Sequence, residues 1–354
     1  MSDKTKAAFW SGVLLIVLFA CTASLIAGFE WVQAARLSPL IVGIILGMVY
    51  ANTLRSQVPS GWAPGINFCT KQVLRTGIVL YGFQITLNDV MAVGLPAIIV
   101  DVIVVCFTLL LGIGLGKLLN MDSQTALLTS VGSSICGAAA VLGAESVVKG
   151  EAYKTAVAVS TVVIFGTLSM FLYPILYRLG VFDMDVQQMG IYTGATLHEV
   201  AHVYGAGEAM DGMLGADAGA VADAIKRPAV IVKMMRVILL APVLIVLAGV
   251  LSQRRHGAEA VRSRITIPLF PFLFLAVIGL NSLELLPLWA VDFIRSLSTF
   301  MLTMAMTALG VETGIEKFRK AGVKPFLLAL FLFIWLIFGG YWLVKGISAI
   351  CSPG

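Results

Sequence analysis

The stretch SQTALLTSVGSSICGAAAVLGAESVV, residues 123–148, is an apolar run that contains a cluster of Gly and Ser. A second run, residues 187–209, contains GATLH at 194–198. Clusters of this kind are places where a helix readily kinks or unwinds. At a rise of about 1.5 Å per residue, Ser133 lies about 16 Å from Asp122, roughly half of a bilayer core of about 30 Å. The sequence therefore predicts two helices that are interrupted near the centre of a membrane.

The two interruptions also form the predicted binding site. Lipid cannot satisfy unwound backbone, so each break must line a cavity or lie buried in protein. A half-helix that begins at a break presents free N–H groups and the positive end of its dipole, which suits an oxyanion. Continuous helices that pack through Gly and Ser remain the alternative. The predicted ligands are backbone and hydroxyl groups of Ser133, Ser134, Ile135, Cys136 and Gly137, with Thr196 and His198 opposite.

Composition limits the class of protein. Of the 354 residues, 59% are apolar and 12% are charged, whereas a soluble domain has about 45–50% apolar and about 25% charged residues. A soluble, disordered or disulfide-stabilised secreted protein is therefore excluded. The net charge of +5 falls mainly in short loops between apolar runs. That placement indicates membrane orientation and not binding to nucleic acid.

The predicted fold class is an all-α polytopic membrane protein with about eleven transmembrane helices. It forms a single domain over residues 1–354, with a first helical half at 1–177 and a second at 186–354. The first apolar run is long for a cleaved signal peptide, so a retained span is favoured over cleavage. The predicted spans are residues 8–28, 38–54, 66–88, 93–118, 123–148, 154–177, 187–209, 228–251, 266–283, 289–310 and 325–348.

Loop charges predict the orientation. Thirteen Lys and Arg residues fall on the side of the N-terminus and six on the opposite side, with the other five of the 24 inside spans. Loops rich in Lys and Arg stay on the cytoplasmic side. The N-terminus is therefore expected inside, and an odd number of spans puts the C-terminus outside.

Two internal similarities suggest repeats. Residues 132–150 align without gaps on residues 194–212, and residues 82–85 resemble residues 310–313. By span count the second pair runs in opposite directions, which fits an inverted repeat, whereas the first pair runs in the same direction. Matches of Gly and Ala are common in membrane helices, so a true inverted repeat and a likeness of composition both stay open.

Ionisable residues inside spans are costly and usually face a cavity or a partner. More of them are basic than acidic, which predicts a surplus of positive charge that an anion would balance through Arg75, Lys233 or Arg236. Snorkelling to the interface or a structural ion pair is the alternative for each residue. The basic residues are Lys71, Arg75, Lys233, Arg236 and Arg295, and the acidic residues are Asp101, Glu199 and Asp292.

The segment His198-Glu199-Val-Ala-His202 has the form H-E-x-x-H, which in helical metalloproteases supplies two zinc ligands and a base. An intramembrane zinc protease is therefore one hypothesis, although no spacing selects a third ligand. A second hypothesis is that His198 and Glu199 carry protons or bind substrate in a transporter, with Glu199, Asp101 and His202 as the residues that bind or release the coupling ion. A satisfied hydrogen bond between helices is the third reading of the motif.

Together these motifs resemble the YeiH-type family of proposed sulfate exporters in bacterial inner membranes. The resemblance covers nearly the whole chain and implies a relation to the bile-acid symporter and sodium/proton antiporter superfamily. It implies two inverted five-helix repeats, a core and a panel, crossed discontinuous helices and often a homodimer. His202 departs from the H-E-x-A-Q form of the family motif. The stretches that carry the resemblance are LSPLIVGIILGMVYAN at 37–52, LRTGIVLYGFQI at 74–85, SSICGAAAV at 133–141, GATLHEVAHVYGAG at 194–207 and the span of Lys233 and Arg236.

We therefore expect a secondary transporter of a small anion, such as sulfate, sulfite or an organosulfonate, driven by a gradient of protons or sodium. It would lie in the inner membrane with a cytoplasmic N-terminus and a periplasmic C-terminus. A sodium-coupled symporter of an organic anion and the zinc protease are the alternatives. No G-x-x-x-x-G-K-[ST] motif is present, so ATP drive is not expected. No catalysis, cofactor or nucleic-acid partner is expected either.

Overall fold

The computed structural model describes residues 3–30, 32, 38–54, 59–148, 151–214, 223–254, 269–313 and 322–351. Within these ranges the regular structure is helical. One turn of π-helix, Cys69–Val73, joins two short helices. The α-helices are α1 (Asp3–Ala27), α2 (Pro39–Thr53), α3 (Ala63–Phe68), α4 (Leu74–Tyr81), α5 (Leu87–Leu118), α6 (Ser123–Ser134), α7 (Ala138–Val148), α8 (Ala152–Arg178), α9 (Val186–Thr196), α10 (Val200–Asp211), α11 (Lys226–Arg254), α12 (Phe270–Asn281), α13 (Leu288–Glu312) and α14 (Val323–Cys351).

Length and hydropathy identify the chain as a polytopic membrane protein. Six of the described helices, α1, α5, α8, α11, α13 and α14, are long and apolar enough to cross a bilayer. They also carry exposed apolar side chains, such as Leu110 at 67% and Trp342 at 69% exposure. A soluble protein rarely leaves such large apolar areas uncovered. The prediction of an all-α polytopic membrane protein is confirmed.

Residues 66–88 match α3, the π-helical turn and α4, and the other predicted spans correspond to helices in two ways. Most match one continuous helix, such as residues 154–177 with α8. Residues 123–148 instead match the pair α6 and α7, and residues 187–209 match the pair α9 and α10. Several loop residues used to predict orientation lie outside the described residues, namely Arg36, Arg55, Lys149, Arg255, Arg262, Arg264, Lys317, Arg319 and Lys320.

Contacts divide the chain into two units, and each unit takes segments from both predicted halves. The first contains Met1–Met91, Glu208–Ala222 and Phe270–Ile315. The second contains Ala92–Gly207, Asp223–Leu269 and Glu316–Gly354.

In the first unit, small residues let two helices approach until their backbones touch. A Cβ atom added to Gly47 in α2 would lie 2.8 Å from the backbone nitrogen of Val311 in α13. Gly310 lies at the same crossing, opposite Ile44 and Gly47. Inside a membrane no hydrophobic effect drives helices together, so their association depends on close packing of this kind.

In the second unit, side-chain caps fix where the interrupted helices begin. Asp122 accepts a hydrogen bond from the backbone of Thr125 at 3.1 Å and starts α6. Asp185 and Gln188 form a reciprocal capping box at the start of α9. Both helices therefore begin at a fixed residue.

The two capped helices have nearly equal lengths. Helix α6 has 12 residues and α9 has 11, so each is about 17 Å long, roughly half of the hydrocarbon core. The sequence-based expectation of interruptions after Ser133 and near Thr196 agrees with these helix bounds.

The crossing of α2 and α13 gives the first prediction. Gly47→Ala should lower the melting temperature of the detergent-solubilised protein, because the new methyl group meets backbone atoms that cannot move aside. Overpacking of this kind costs about 1–3 kcal/mol. The control is Gly114→Ala in α5, where an added Cβ atom meets nothing within 4 Å. Equal melting temperatures for the two variants would contradict the described crossing.

Candidate binding site at the helix interruptions

The first interruption is a short turn between α6 and α7. The backbone N–H of Gly137 donates to the carbonyl of Gly132 at 3.0 Å. Gly137 has a φ of 74°, in the left-handed region that residues with a Cβ atom rarely adopt. The turn separates the carbonyl end of α6 from the N–H end of α7.

A single ammonium group binds the carbonyl ends of both first half-helices. Lys233 of α11 is fully buried, and its Nζ donates to the carbonyl of Ile135 at 2.8 Å and to that of Leu197 at 2.6 Å. These residues directly follow α6 and α9. The carbonyl end of a helix carries a partial negative charge. Lys233 therefore neutralises two helix ends at once.

A carboxylate lies at the N–H ends of the second half-helices. Glu199 Oε1 accepts from the backbone N–H of Ala138, the first residue of α7, at 3.1 Å. The same residue directly precedes α10, and its carbonyl accepts from the N–H of Val203 at 3.0 Å. The N–H end that the sequence assigns to an external oxyanion thus binds an anion of the chain itself.

Gly137 provides the space that this carboxylate needs. A Cβ atom added to Gly137 would lie 2.9 Å from Glu199 Oε1 and 3.0 Å from its Cδ. A side chain at this position would therefore displace Glu199 from the N–H of Ala138. This requirement for Gly adds to the one that its positive φ imposes.

A buried ion pair lies one helical turn from Lys233. Arg236 Nε donates to Asp101 Oδ1 at 2.9 Å, and both side chains are almost fully buried. The outer nitrogens of the guanidinium, Nη1 and Nη2, have no hydrogen-bond partner, and neither has Asp101 Oδ2. Two parallel N–H donors of this kind match the geometry of a carboxylate or another oxyanion.

Other polar side chains of this unit are buried without a partner, and two of them belong to the predicted ligands. These two are the hydroxyl of Ser133 and the imidazole of His198, on which neither nitrogen is bonded. His198 lies within electrostatic range of Lys233 and Arg236. Leaving a buried polar group unsatisfied costs about 1–3 kcal/mol. Such a set of groups is typical of a site that holds a polar ligand or water.

Other predicted ligands already use their polar hydrogens. Ser134 Oγ donates to the carbonyl of Val131 at 3.1 Å. Thr196 Oγ1 donates to the carbonyl of Tyr192 at 2.6 Å and accepts from Tyr173 at 3.0 Å. A hydroxyl has one hydrogen to donate. In this arrangement neither side chain can donate to an anion.

Two backbone N–H groups of the turn are engaged in the same way. The N–H of Ile135 donates to the carbonyl of Val131 at 3.2 Å, and the N–H of Gly137 is also bonded within the turn. The side chain of Cys136 is buried and lies within electrostatic range of Lys233 and Glu199. Ser133 differs from these neighbours, because its hydroxyl hydrogen is still available for a ligand.

The H-E-x-x-H segment does not have the geometry of the helical zinc motif. Helix α10 begins at Val200, so His198 and Glu199 precede it and only His202 lies on it. His202 Nδ1 lies 3.8 Å from Glu199 Oε2, and its Nε2 lies 3.4 Å from Thr167 Oγ1. In the part of the chain that the structure describes, no group of three His, Cys, Asp or Glu residues could hold a metal ion.

Burial separates the ionisable residues that the sequence places inside spans, and the predicted surplus of positive charge stays a prediction. Lys71, Asp292 and Arg295 are exposed on the surface of the chain. Sequence hydropathy places them inside spans but does not indicate which face of the helix they occupy. The described cations that are buried are Lys226, Lys233 and Arg236, and they lie beside Asp223, Glu199 and Asp101, respectively.

Arg75 belongs to the first unit. Its guanidinium lies 5.8 Å above the ring of Phe270 in the same unit, in the geometry of a cation–π contact. Its predicted part in anion binding stays a prediction.

Sequence reasoning missed the aromatic support of α9. Tyr173 stacks on Tyr192 with ring centroids 5.1 Å apart, and Tyr192 donates to the carbonyl of Ile337 at 2.9 Å. These contacts join α8 and α14 to the end of α9. Tyr residues within apolar runs gave no signal of this role, because aromatic residues are common in buried helices.

Comparison with known proteins identifies the family. The family model described as Conserved hypothetical protein 698 matches residues 11–329. This chain belongs to that family. It is 57% identical over 337 residues to a UPF0324 membrane protein of Bacteroides thetaiotaomicron, covering 94% of this chain and 97% of the relative.

Two further relatives cover most of both chains. A UPF0324 membrane protein of Bordetella pertussis is 45% identical over 338 residues, which is 95% of this chain and 94% of the relative. The UPF0324 inner membrane protein YeiH of Salmonella typhimurium is 46% identical over 310 residues, which is 87% of this chain and 86% of the relative. The resemblance to the YeiH-type family is confirmed.

The turn at Gly137 gives the second prediction. Gly137→Ala should lower the stability of the solubilised protein by about 2–4 kcal/mol, since it combines a strained φ with displacement of Glu199. Thermal unfolding measures the effect. Gly143→Ala in α7, which follows the turn, is the control, because its added Cβ atom faces the flexible end of Leu244 at 3.3 Å. A Gly137→Ala variant that melts with this control would show that Glu199 does not need the space.

Proposed function

We propose that this membrane protein is a secondary transporter of a small oxyanion, which binds at the helix interruptions of the second unit. The observation that carries the proposal is the guanidinium of Arg236, fully buried, paired through Nε and unpartnered at both outer nitrogens. A charged side chain is costly to bury inside a membrane, and such residues usually mark the site or path of a substrate or ion.

The chemistry of the free donors favours an oxyanion. The two outer nitrogens of Arg236 form a fork that suits bidentate binding. The hydroxyl of Ser133 adds another donor, and His198 adds an imidazole that donates from at least one nitrogen. Sulfate, sulfite and organosulfonates offer several oxygens of this geometry. We therefore propose these anions as the substrate class.

The fixed charges support the same proposal. Lys233 and Glu199 are bound to helix ends, so they stabilise the interruptions and are not free to follow a substrate. Arg236 and Asp101 leave donor and acceptor atoms open. We propose that the first pair holds the site in shape and that Arg236 meets the substrate, while Asp101 holds the guanidinium in place.

The arrangement in the membrane forms part of the proposal. We propose eleven spans in two inverted repeats that form a core and a panel, with the interrupted helices moving in alternating access. Six described helices that are long and apolar enough to cross a bilayer, together with the pairs α6–α7 and α9–α10, support a polytopic arrangement of this kind. The Salmonella relative is named an inner membrane protein, which supports an inner-membrane location. The cytoplasmic N-terminus, the periplasmic C-terminus and a homodimer remain our proposals.

Ion gradients would supply the drive, with no catalytic step. Glu199 Oε2 lies 3.8 Å from His202 Nδ1. At this distance, protonation of one group changes the proton affinity of the other. We propose that these two residues, with Asp101, couple ion movement to anion movement.

The neighbouring residues Ser133 and Ser134 allow a matched test of anion binding. Ser133→Ala removes the unpartnered hydroxyl and should weaken sulfate binding at least about tenfold, as expected for a hydrogen bond to a charged ligand. Ser134→Ala removes a hydroxyl that is bonded to its own helix and should change binding by less than about threefold. Titration of the purified protein with sulfate, followed by thermal shift, measures both. Sulfite and methanesulfonate are run in parallel, and no response to any of the three contradicts the proposed substrate class.

Transport itself is tested with Arg236→Lys, which keeps a cation beside Asp101 but loses the planar fork. The initial rate of radiolabelled sulfate uptake into proteoliposomes at low sulfate should fall at least about tenfold. Arg178→Lys, at the exposed end of α8, is the control and should keep the rate. Equal uptake by the two variants would remove the support that Arg236 gives to the proposal.

A further inference from the structure

The contacts of Lys233 have the pattern of a bound monovalent cation. The ammonium is fully buried, and its two hydrogen-bond acceptors, the carbonyls of Ile135 and Leu197, each end a half-helix. In transporters with interrupted helices, carbonyls at such ends coordinate the coupling sodium ion or proton. In this protein the two carbonyl oxygens that would coordinate a free ion bind the ammonium group of Lys233, which is part of α11.

The charge balance around these carbonyls favours one cation and not two. Lys233 already lies within electrostatic range of Arg236. A sodium ion at the same carbonyls would stand beside two positive groups in a medium of low dielectric constant, where repulsion between like charges is strong. The carboxylates in range are those of Asp101 and Glu199, and each already has a donor, Arg236 Nε and the N–H of Ala138 respectively.

We propose that the carbonyl ends of α6 and α9 form a monovalent-cation site that the ammonium of Lys233 occupies, so that this protein works without sodium. Lys233 is then a positioning residue, because two of its three N–H groups bind backbone and hold both half-helices in place. The statement about transport rests on the proposed function, whereas the cation site can be tested without any transport.

Removal of the ammonium should reveal the site. The full-length protein and the variants Lys233→Ala and Lys233→Asn are expressed and purified in sodium chloride, and each is melted in sodium, potassium or choline chloride at equal concentration. Lys233→Asn supplies an amide oxygen as an additional ligand. We expect sodium or potassium to raise the melting temperature of at least one variant by about 2 °C or more over choline, in a saturable manner. The unmodified protein should respond by less than this.

Lys233→Arg is the matched control, since it keeps a cation on the same helix and should show no response to sodium. A saturable response of the unmodified protein to sodium would overturn the proposal. So would the absence of a sodium or potassium response in both neutral variants, or failure to recover either of them in sodium chloride, because the free ion should then replace the ammonium.

Sulfate titrations in the same salts separate this inference from the proposed function. We expect the sulfate response of the unmodified protein to be equal in sodium and in choline within about twofold. A tenfold gain in apparent affinity with sodium would overturn sodium independence. If the unmodified protein ignores sulfate while a neutral variant gains a sodium response, the proposed substrate is wrong and the cation site stands.

Discussion

The structure of the second unit depends on one constraint, that backbone interrupted inside a membrane must find its partners within the protein. Three helix ends meet this constraint through two side chains. Lys233 binds the carbonyl ends of α6 and α9. Glu199 binds the first N–H of α7 and itself directly precedes α10. Without this pair, the partial charges of these three helix ends would remain uncompensated in an apolar medium.

The same constraint separates structural charges from those available to a ligand. The ammonium and the carboxylate that neutralise helix ends have partners. The neighbouring pair of Arg236 and Asp101 is joined by one hydrogen bond and leaves three polar atoms unsatisfied. Ser133 and His198 add to this unsatisfied set. With Lys233, Arg236, Asp101 and Glu199 all charged, a site built in this way is neutral, and the oxyanion that we propose as its ligand would be recognised by directed donors and not by a surplus of charge.

Particular residues show how far the sequence could lead. The small and polar residues at 132–137 and 194–198 predict both interruptions, because those signals are local. The partners of Lys233 could not be predicted, since they are backbone carbonyls that no side-chain letter records. The contact of Glu199 with Ala138 joins residues 61 positions apart, and an alignment of related sequences would be needed to suggest it.

The exposed positions of Lys71, Asp292 and Arg295 were missed because hydropathy is averaged around a helix and does not identify its buried face. The bonds of Ser134 and Thr196 to their own helices were the more predictable part, since hydroxyls often return to a carbonyl one turn earlier.

Glu199 has a mechanical consequence that follows from its position in the chain. Its backbone continues into α10, while its carboxylate is bonded to α7. A tilt of either half-helix must therefore pull on the other, and Lys233 links α11 to the two remaining halves in the same manner. Lys233 and Glu199 thus balance the charge of the helix ends and also hold the half-helices together. Any event that neutralises one of these side chains should also loosen the helices that it binds.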